Sequence, residues 1–366
     1  MHTNLHYKLG LSFLFGIGPK KAALLISKLG SPEAVFSADL KQLHQSTGIS
    51  MAVISQINRT RALEIADKQL EYIAKNDITI HFYLDINYPR RLKQCDDAPL
   101  ILYSKGHFDP NPSRTIAIVG TRSATEYGRG LCEELVKELA GNDIQVVSGM
   151  AFGIDICAHQ LCLKLGIQTI GVLGHGLDRL YPRQHKRIAE LMLDHGGLLT
   201  EFIPGTEPDR ENFPMRNRIV AGMTDATIVI ESKNTGGSLI TAELANDYHR
   251  DVFAYPGNIG QIHSEGCNTL IRTNKAHLLA NGAQFLKEMG WQNSVQGTAV
   301  VQKKCFGDLE EEELRICEFL DGSPGEHIDV ICVGVKQPVS RLNVLLFQLE
   351  MKGIVKEFPG KRYSLN

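Results

Sequence analysis

Three arginines, two asparagines and a phenylalanine crowd into the eleven residues Arg210-Glu211-Asn212-Phe213-Pro214-Met215-Arg216-Asn217-Arg218-Ile219-Val220. Pro214 suits the first turn of a helix, and Ile219, Val220 and Met223 supply its buried stripe. On that reading Arg216 and Arg218 stand near the helix start, where the dipole disfavours a cation by roughly 0.3–1 kcal/mol. Stability alone would place acids there, so the arrangement points to a phosphate site that trades stability for binding. Phe213, flanked by Arg210 and Pro214, offers a face for base stacking, worth ~1–3 kcal/mol per base; a core phenylalanine is the plainer alternative.

Other loops carry the same chemistry. In Val119-Gly120-Thr121-Arg122-Ser123 a glycine leaves an apolar run just before a helix, so free amides and a dipole are available to an anion beside Arg122. Gly236, Gly237 and Ser238 repeat the pattern, and Tyr181-Pro182-Arg183-Gln184-His185-Lys186-Arg187 adds a basic cluster containing Arg183 and Lys186. In Ser148-Gly149-Met150-Ala151-Phe152-Gly153-Ile154-Asp155, Asp155 is expected to cap the next helix and His159 to pack locally, in preference to an acid–base pair. Near the start, Gly16-Ile17-Gly18-Pro19-Lys20-Lys21 has the form of a helix-hairpin-helix turn, a possible second DNA contact through Gly16, Gly18, Lys20 and Lys21.

Some chemistries find no support. The chain has no G-x-x-x-x-G-K-[ST], no H-E-x-x-H and no nucleophile elbow. The eight cysteines form no C-x-x-C pair, and the ten-residue spacing of His175, His185 and His195 fits no helix face. Motor and common hydrolase readings therefore lose their strongest support, and neither a metal nor a cofactor is expected. A net charge of −2 excludes coating of nucleic acid by bulk attraction, so any contact must be a local cluster. No run approaches the ~20 apolar residues of a spanning helix, and Met1 to Gly10 lacks an apolar signal core, so the expected location is the cytoplasm.

The elements that must position these residues follow from periodicity. With 366 residues, 43% hydrophobic and 22% charged, the chain has the composition of a globular protein of two or three domains. Residues 1–76 read as an all-α module. Residues 77–290 begin with β-rich runs at Ile78–Leu84 and Leu100–Tyr103. Strands then follow at Thr115–Val119, Ile144–Ser148, Thr169–Val172, Gly197–Thr200, Thr227–Glu231 and Asp251–Ala254, each succeeded by a turn and a helix-period segment. That order predicts an α/β fold, an extended Rossmann-like, doubly wound, mostly parallel sheet with ligands outside the carboxyl ends of its strands. Residues 291–308 read as a linker with an acidic end. Residues 309–366 contain two helices, Leu314–Leu320 and about 340–352, and a β-ribbon turning at Pro359-Gly360, the order of a winged helix.

These runs, taken together with Ala158-His159, Gly174-His175-Gly176-Leu177-Asp178, Ser238-Leu239-Ile240-Thr241-Ala242 and Tyr255-Pro256-Gly257, resemble the DNA-processing protein A (DprA/Smf) family over nearly the whole length. The resemblance implies an N-terminal sterile-alpha-motif-like module, a Rossmann core that binds single-stranded DNA, and a C-terminal winged helix. It implies a homodimer that protects incoming strands in natural transformation, works alongside single-strand binding protein and loads a RecA-type recombinase, with no catalytic step. Carried over by position, Arg122, Arg183, Arg210 and Phe213 grip DNA with Arg216, Asn217 and Arg218 beside them. Gly266 to Leu279, including Asn268, Ile271 and Leu278, resembles the self-association and recombinase face. Thr121 stands where serine is commoner, Gly236 where serine is usual, and Asn274-Lys275-Ala276 departs from a usual Gly before Ala. The wing, Pro359 to Tyr363, retains two cations.

Two other readings compete. Gly236-Gly237-Ser238 with Glu243 partly echoes the P-G-G-x-G-T-x-x-E motif of lysine-decarboxylase-like phosphoribohydrolases, which cleave N-glycosidic bonds of nucleotides, but the proline and the Gly-Thr pair are missing. A winged-helix transcription regulator whose core senses a nucleotide is the third.

Overall fold

The structure, a computed structural model, describes residues 4–292, 309–321 and 325–365. By packing, the chain divides into two compact units, residues 1–278 and 279–366.

Seven short runs, six of them rich in Val, Ile, Leu, Ala and Thr and buried at most of their residues, build the parallel part of the sheet in the first unit, as expected of strands covered on both faces. They are β3 (Arg114–Gly120), β4 (Ile144–Ser148), β5 (Thr169–Val172), β6 (Gly196–Thr200), β7 (Ala226–Ile230), β8 (Asp251–Ala254) and β9 (His277–Leu278). Before them come β1 (Thr79–Phe82) and β2 (Ile101–Gly106). The nine-stranded sheet has the order β1-β2-β6-β5-β4-β3-β7-β8-β9. From β3 to β9 every pairing is parallel, and β1 and β2, the two early β-rich runs, join the β6 edge antiparallel.

The chain winds from β3 out to β6, then returns to the other side of β3 to lay down β7, β8 and β9. The strand order therefore reverses between β3 and β7, whose register pairs Gly120 with Ile230. At such a switch the loops leaving the carboxyl ends of adjacent strands diverge and leave a crevice. The β9 strand lies outside the sequence reading because it is two exposed residues long, too short to show a period.

Six helices precede β1, and no strand occurs before it among the described residues. Ser31, Asp39 and Asn58 cap three of these helices by accepting from the amide three residues on. Their leucines and isoleucines share one core with Phe82, Ile101 and Tyr103 of β1 and β2, so packing is continuous across residue 76. The Arg91 guanidinium reaches Asp225 just ahead of β7 through bonds of 2.7 and 2.9 Å, tying the segment between β1 and β2 to the parallel sheet.

In the second unit Trp291 is buried against Phe285, at 5.6 Å between ring centroids. Helices Glu311–Asp321, Ile328–Val335 and Val339–Met351 follow, with a three-stranded antiparallel sheet β10 (Glu326–His327), β12 (Arg362–Leu365) and β11 (Val355–Phe358), in that spatial order. The helix Ile328–Val335 is an addition to the two expected. Its five β-branched residues read locally as strand, and packing of Ile328 and Ile331 into the core overrides that preference. The wing cations are committed within this unit, Lys361 to Glu357 at 3.0 Å and Arg362 to Gly325 O at 2.9 Å. The proposed linker falls largely on residues 293–308, which lie outside the described residues, as does Cys305. No single described helix is long and apolar enough to cross a membrane.

Candidate nucleic-acid interface

Four loops at the carboxyl ends of β3, β4, β5 and β7 are pinned to one another by specific bonds. Thr121 N donates to Glu231 O at 2.8 Å, and Ile154 N donates to Thr121 O at 3.2 Å. His185 Nδ1 lies 2.9 Å from Met150 O, which draws the loop after β5 onto the loop after β4. Gly153 has φ +80°, and a β-carbon there would overlap the Thr121 carbonyl, so only glycine permits the β3 and β4 loops to close on each other.

Above these loops lies Phe213. The Arg122 guanidinium sits 5.5 Å from the centre of its ring, the Arg216 guanidinium 5.9 Å, and the Tyr181 ring 6.1 Å. The phenylalanine is only half-buried, so it is not simply a core residue. Arg183 follows Tyr181 by two residues and Arg210 precedes Phe213 by three. Arg122, Arg183 and Arg210 are all exposed, and among the described residues none of them makes an ion pair. An aromatic ring among cations with no acidic partner is suited to a sugar-phosphate strand, its phosphates on the arginines and a base on the ring.

The helix carrying Phe213 runs from Asn212 to Gly222, two residues earlier than Pro214 suggests, which moves Arg216 and Arg218 out of the first turn. The dipole argument for them therefore fails, and the two side chains have other roles. Arg216 is 4% exposed and donates through Nη1 to Val172 O at 3.0 Å, with its Nε left unpartnered. It is a buried support beneath Phe213 rather than a surface contact. Gly149 makes room for it, since a β-carbon there would overlap the guanidinium. Burial pushes the Arg216 pKa down to about 10, against the pull of Asp155. Arg218 turns instead to Glu201 and the Asp97 carbonyl.

Asp155 does not cap its helix, whose N-cap is Gly153. Its carboxylate instead accepts from the Gly149 and Ala151 amides at 3.1 and 3.3 Å and fills the β4 loop from within. Burial raises its pKa, and Arg216 and those two amides oppose the shift. His159 packs locally as expected, with Nδ1 2.7 Å from Thr169 Oγ1 and Nε2 unpartnered. Burial, reinforced by His185 and Arg216, pushes its pKa down to about 3. In the unfolded chain an imidazole titrates near ~6.5. A depressed folded value means that the stability contributed is present above that pH and is lost as pH falls from there towards 3. Urea midpoints measured from pH 7 to pH 5 should drop for the wild type and drop less for His159→Gln, by up to ~1.4 kcal/mol per pH unit. Parallel curves would count against this assignment.

The remaining sequence candidates are dispersed. The Gly236-Gly237-Ser238 turn opens the helix Gly237–Asp247 with neither a side-chain cap nor an acid in its first turn, and Asn217 Nδ2 reaches Gly237 O at 3.5 Å. Ser238 is buried with its hydroxyl on Ser232 Oγ, so only its main chain is available. The Thr121 amide is likewise committed, to Glu231 O, and Gly120 ends β3 within the ladder. Lys186 leans towards Glu190 at 3.8 Å. In the helical region Lys20 pairs with Asp96 at 2.6 Å and Lys21 bonds Gly16 O at 2.8 Å, both lysines exposed beside the Gly16–Gly18 turn. Asn268 exchanges two bonds with the Gly257 backbone, Ile271 is half-buried against the core, and Leu278 is 46% exposed. Glu243, the acid of the hydrolase reading, is exposed and paired with Lys275 at 3.2 Å. Tyr181, exposed beside Phe213, adds a second aromatic ring at this rim, and its place two residues before Arg183 is the sequence signal for it. Among the described residues no group of three His, Cys, Asp or Glu side chains could hold a metal ion.

The family described as DNA recombination-mediator protein A matches residues 79–290. This chain belongs to that family. A member from Synechocystis, Protein Smf, is 32% identical over 313 residues, covering 76% of this chain and 78% of its own. The recombination-mediator fold is shared with the X-ray structure of DNA processing protein A from Streptococcus pneumoniae, at 34% identity and a TM-score of 0.64, over 78% of this chain and 98% of the other. A Helicobacter pylori DNA processing protein A, solved for its single-stranded DNA binding mode, is similar at 29% identity and a TM-score of 0.52, over 57% of this chain and 94% of the other.

Proposed function

We propose that this chain binds single-stranded DNA along the rim formed by Arg122, Tyr181, Arg183, Arg210 and Phe213, protects it, and helps to load a RecA-type recombinase during DNA uptake. The observation that carries this reading is the half-buried Phe213 ring under the Arg122 guanidinium and beside Tyr181, over the loops that leave β3 and β5. A family relative known for its single-strand binding mode supports it. In this reading the protein is a cytoplasmic, non-enzymatic homodimer that works alongside single-strand binding protein, with the segment from Gly266 to Leu279 as its self-association face. Residues 1–76 form a sterile-alpha-motif-like module, 77–290 the Rossmann-like DNA-binding domain, 291–308 a linker and 309–366 a winged helix.

Gel shifts with single- and double-stranded oligonucleotides of increasing length test the proposal. Single strands should bind more tightly. Arg183→Ala and Arg210→Ala should each weaken binding several-fold and lower the slope of log K against log salt by about 0.7, the loss of one phosphate contact to a single strand. Wild-type slope and affinity in both variants would remove these two residues from the interface.

A further inference from the structure

The helix Glu126–Leu139 follows β3, and its start is the place where a doubly wound fold ordinarily receives a phosphate. The first amides of a helix lack intrahelical acceptors and carry the positive end of its dipole. Here the N-cap Thr125 takes the Gly128 amide through its Oγ1 at 3.2 Å, and an anion from the chain itself sits on that cap. Glu231, the residue after β7, is 5% exposed, and its carboxylate accepts from Thr125 N at 2.9 Å and from Thr125 Oγ1 at 2.5 Å. Gly128, in the first turn, presses so closely that a β-carbon there would overlap that carboxylate.

The backbone of Glu231 is strained to match. Its φ is +53°, a region that glycine enters freely and a glutamate does not. Its carbonyl meanwhile accepts from Thr121 N. One residue therefore holds both ends of the first βα turn, with the main chain at the loop and the carboxylate at the helix. A glutamate stands here despite its conformational cost, at a spot where a negative charge competes directly with a phosphate.

We propose that Glu231 is a built-in anion that keeps inorganic phosphate, pyrophosphate and free nucleotides out of the first βα turn, making the site selective for a strand over a nucleotide. A free nucleotide concentrates its phosphates in one group and needs a deep amide cradle. A polynucleotide presents them singly, to separate arginines. The exclusion of phosphate stands on the Glu231 geometry alone, and the preference for a strand rests on the reading of the arginine rim given above.

The test uses the full chain, with pyrophosphate as the probe in isothermal titration and a single-stranded oligonucleotide in parallel. Glu231→Gly suits the positive φ and opens the cradle, while Glu231→Gln keeps the shape and removes the charge. Wild type is expected to take up pyrophosphate at least about tenfold more weakly than Glu231→Gly, with Glu231→Gln in between, a gap of ~1.4 kcal/mol or more. Single-strand affinity of the folded variants should stay within about threefold of wild type, because the rim arginines are untouched. A folded Glu231→Gly that gains no pyrophosphate binding overturns the proposal, as does a wild type that binds the probe equally well. Should Glu231→Gly fail to fold, Glu231→Gln decides, and no gain there overturns the proposal. A wild type that holds no single strand sinks the rim reading, while the pyrophosphate comparison still settles the role of Glu231.

Discussion

Phe213→Ala is expected to weaken binding of a single-stranded oligonucleotide by ~1–3 kcal/mol, roughly 5- to 150-fold, while leaving the salt slope at its wild-type value. The ring is half-buried under Arg122 and beside Tyr181, so a base laid on it would exchange water for an aromatic face and a guanidinium. Stacking releases no counterions, and its loss is therefore invisible to salt. Arg122→Ala should behave in the complementary way. It removes a charge that reaches a phosphate, lowering the slope by about 0.7, and it also removes a cation–π support worth ~0.5–1 kcal/mol. Arg122→Lys should restore the slope without restoring the full affinity, because an ammonium cannot lie flat on the ring. Equal slopes for Phe213→Ala and Arg122→Ala would mean that the two residues are not divided between base and phosphate.

The largest effect on stability is expected from Arg216→Met, at ~3–5 kcal/mol in urea unfolding at neutral pH. With a pKa near 10 the guanidinium is charged there, and it shares its burial with Asp155 across Gly149. Removing the cation leaves a buried carboxylate that the Gly149 and Ala151 amides compensate in part. Adding Asp155→Asn should recover at least ~1–2 kcal/mol of the loss, since a pair of buried charges removed together costs less than either removed alone. If Arg216→Met retained wild-type stability and lost only DNA affinity, Arg216 would be a surface contact after all.

The strands and loops of the central sheet were legible because each signal is local. A buried parallel strand must be apolar over its own four to seven residues, and the turn after it needs small residues wherever another loop approaches, as at Gly149 and Gly153. The helix Ile328–Val335 was not legible, because β-branched residues favour a strand until packing decides. The motif around Phe213 was found by its crowding of arginines, but which of them face solvent could not be read there. Arg218 is sequestered by Glu201, seventeen residues away, while Lys20 meets Asp96, seventy-six away, at the surface.

The sequence by itself determined the alternation of strand and helix and the candidate rim at the loops that follow the strands, whereas the order reversal between β3 and β7 is read only from the folded sheet. Periodicity, glycine placement and the right-handed crossover are constraints that neighbouring residues carry. Only the tertiary structure decided which charges remain available for a ligand. It buried Arg216 with Asp155, set Glu231 onto Thr125 across 106 residues of chain, and left Arg122, Arg183 and Arg210 without an acidic partner among the described residues. The physical reason is that a charge is spent or spared by what folds against it, and the partners come from distant segments whose meeting no local pattern records.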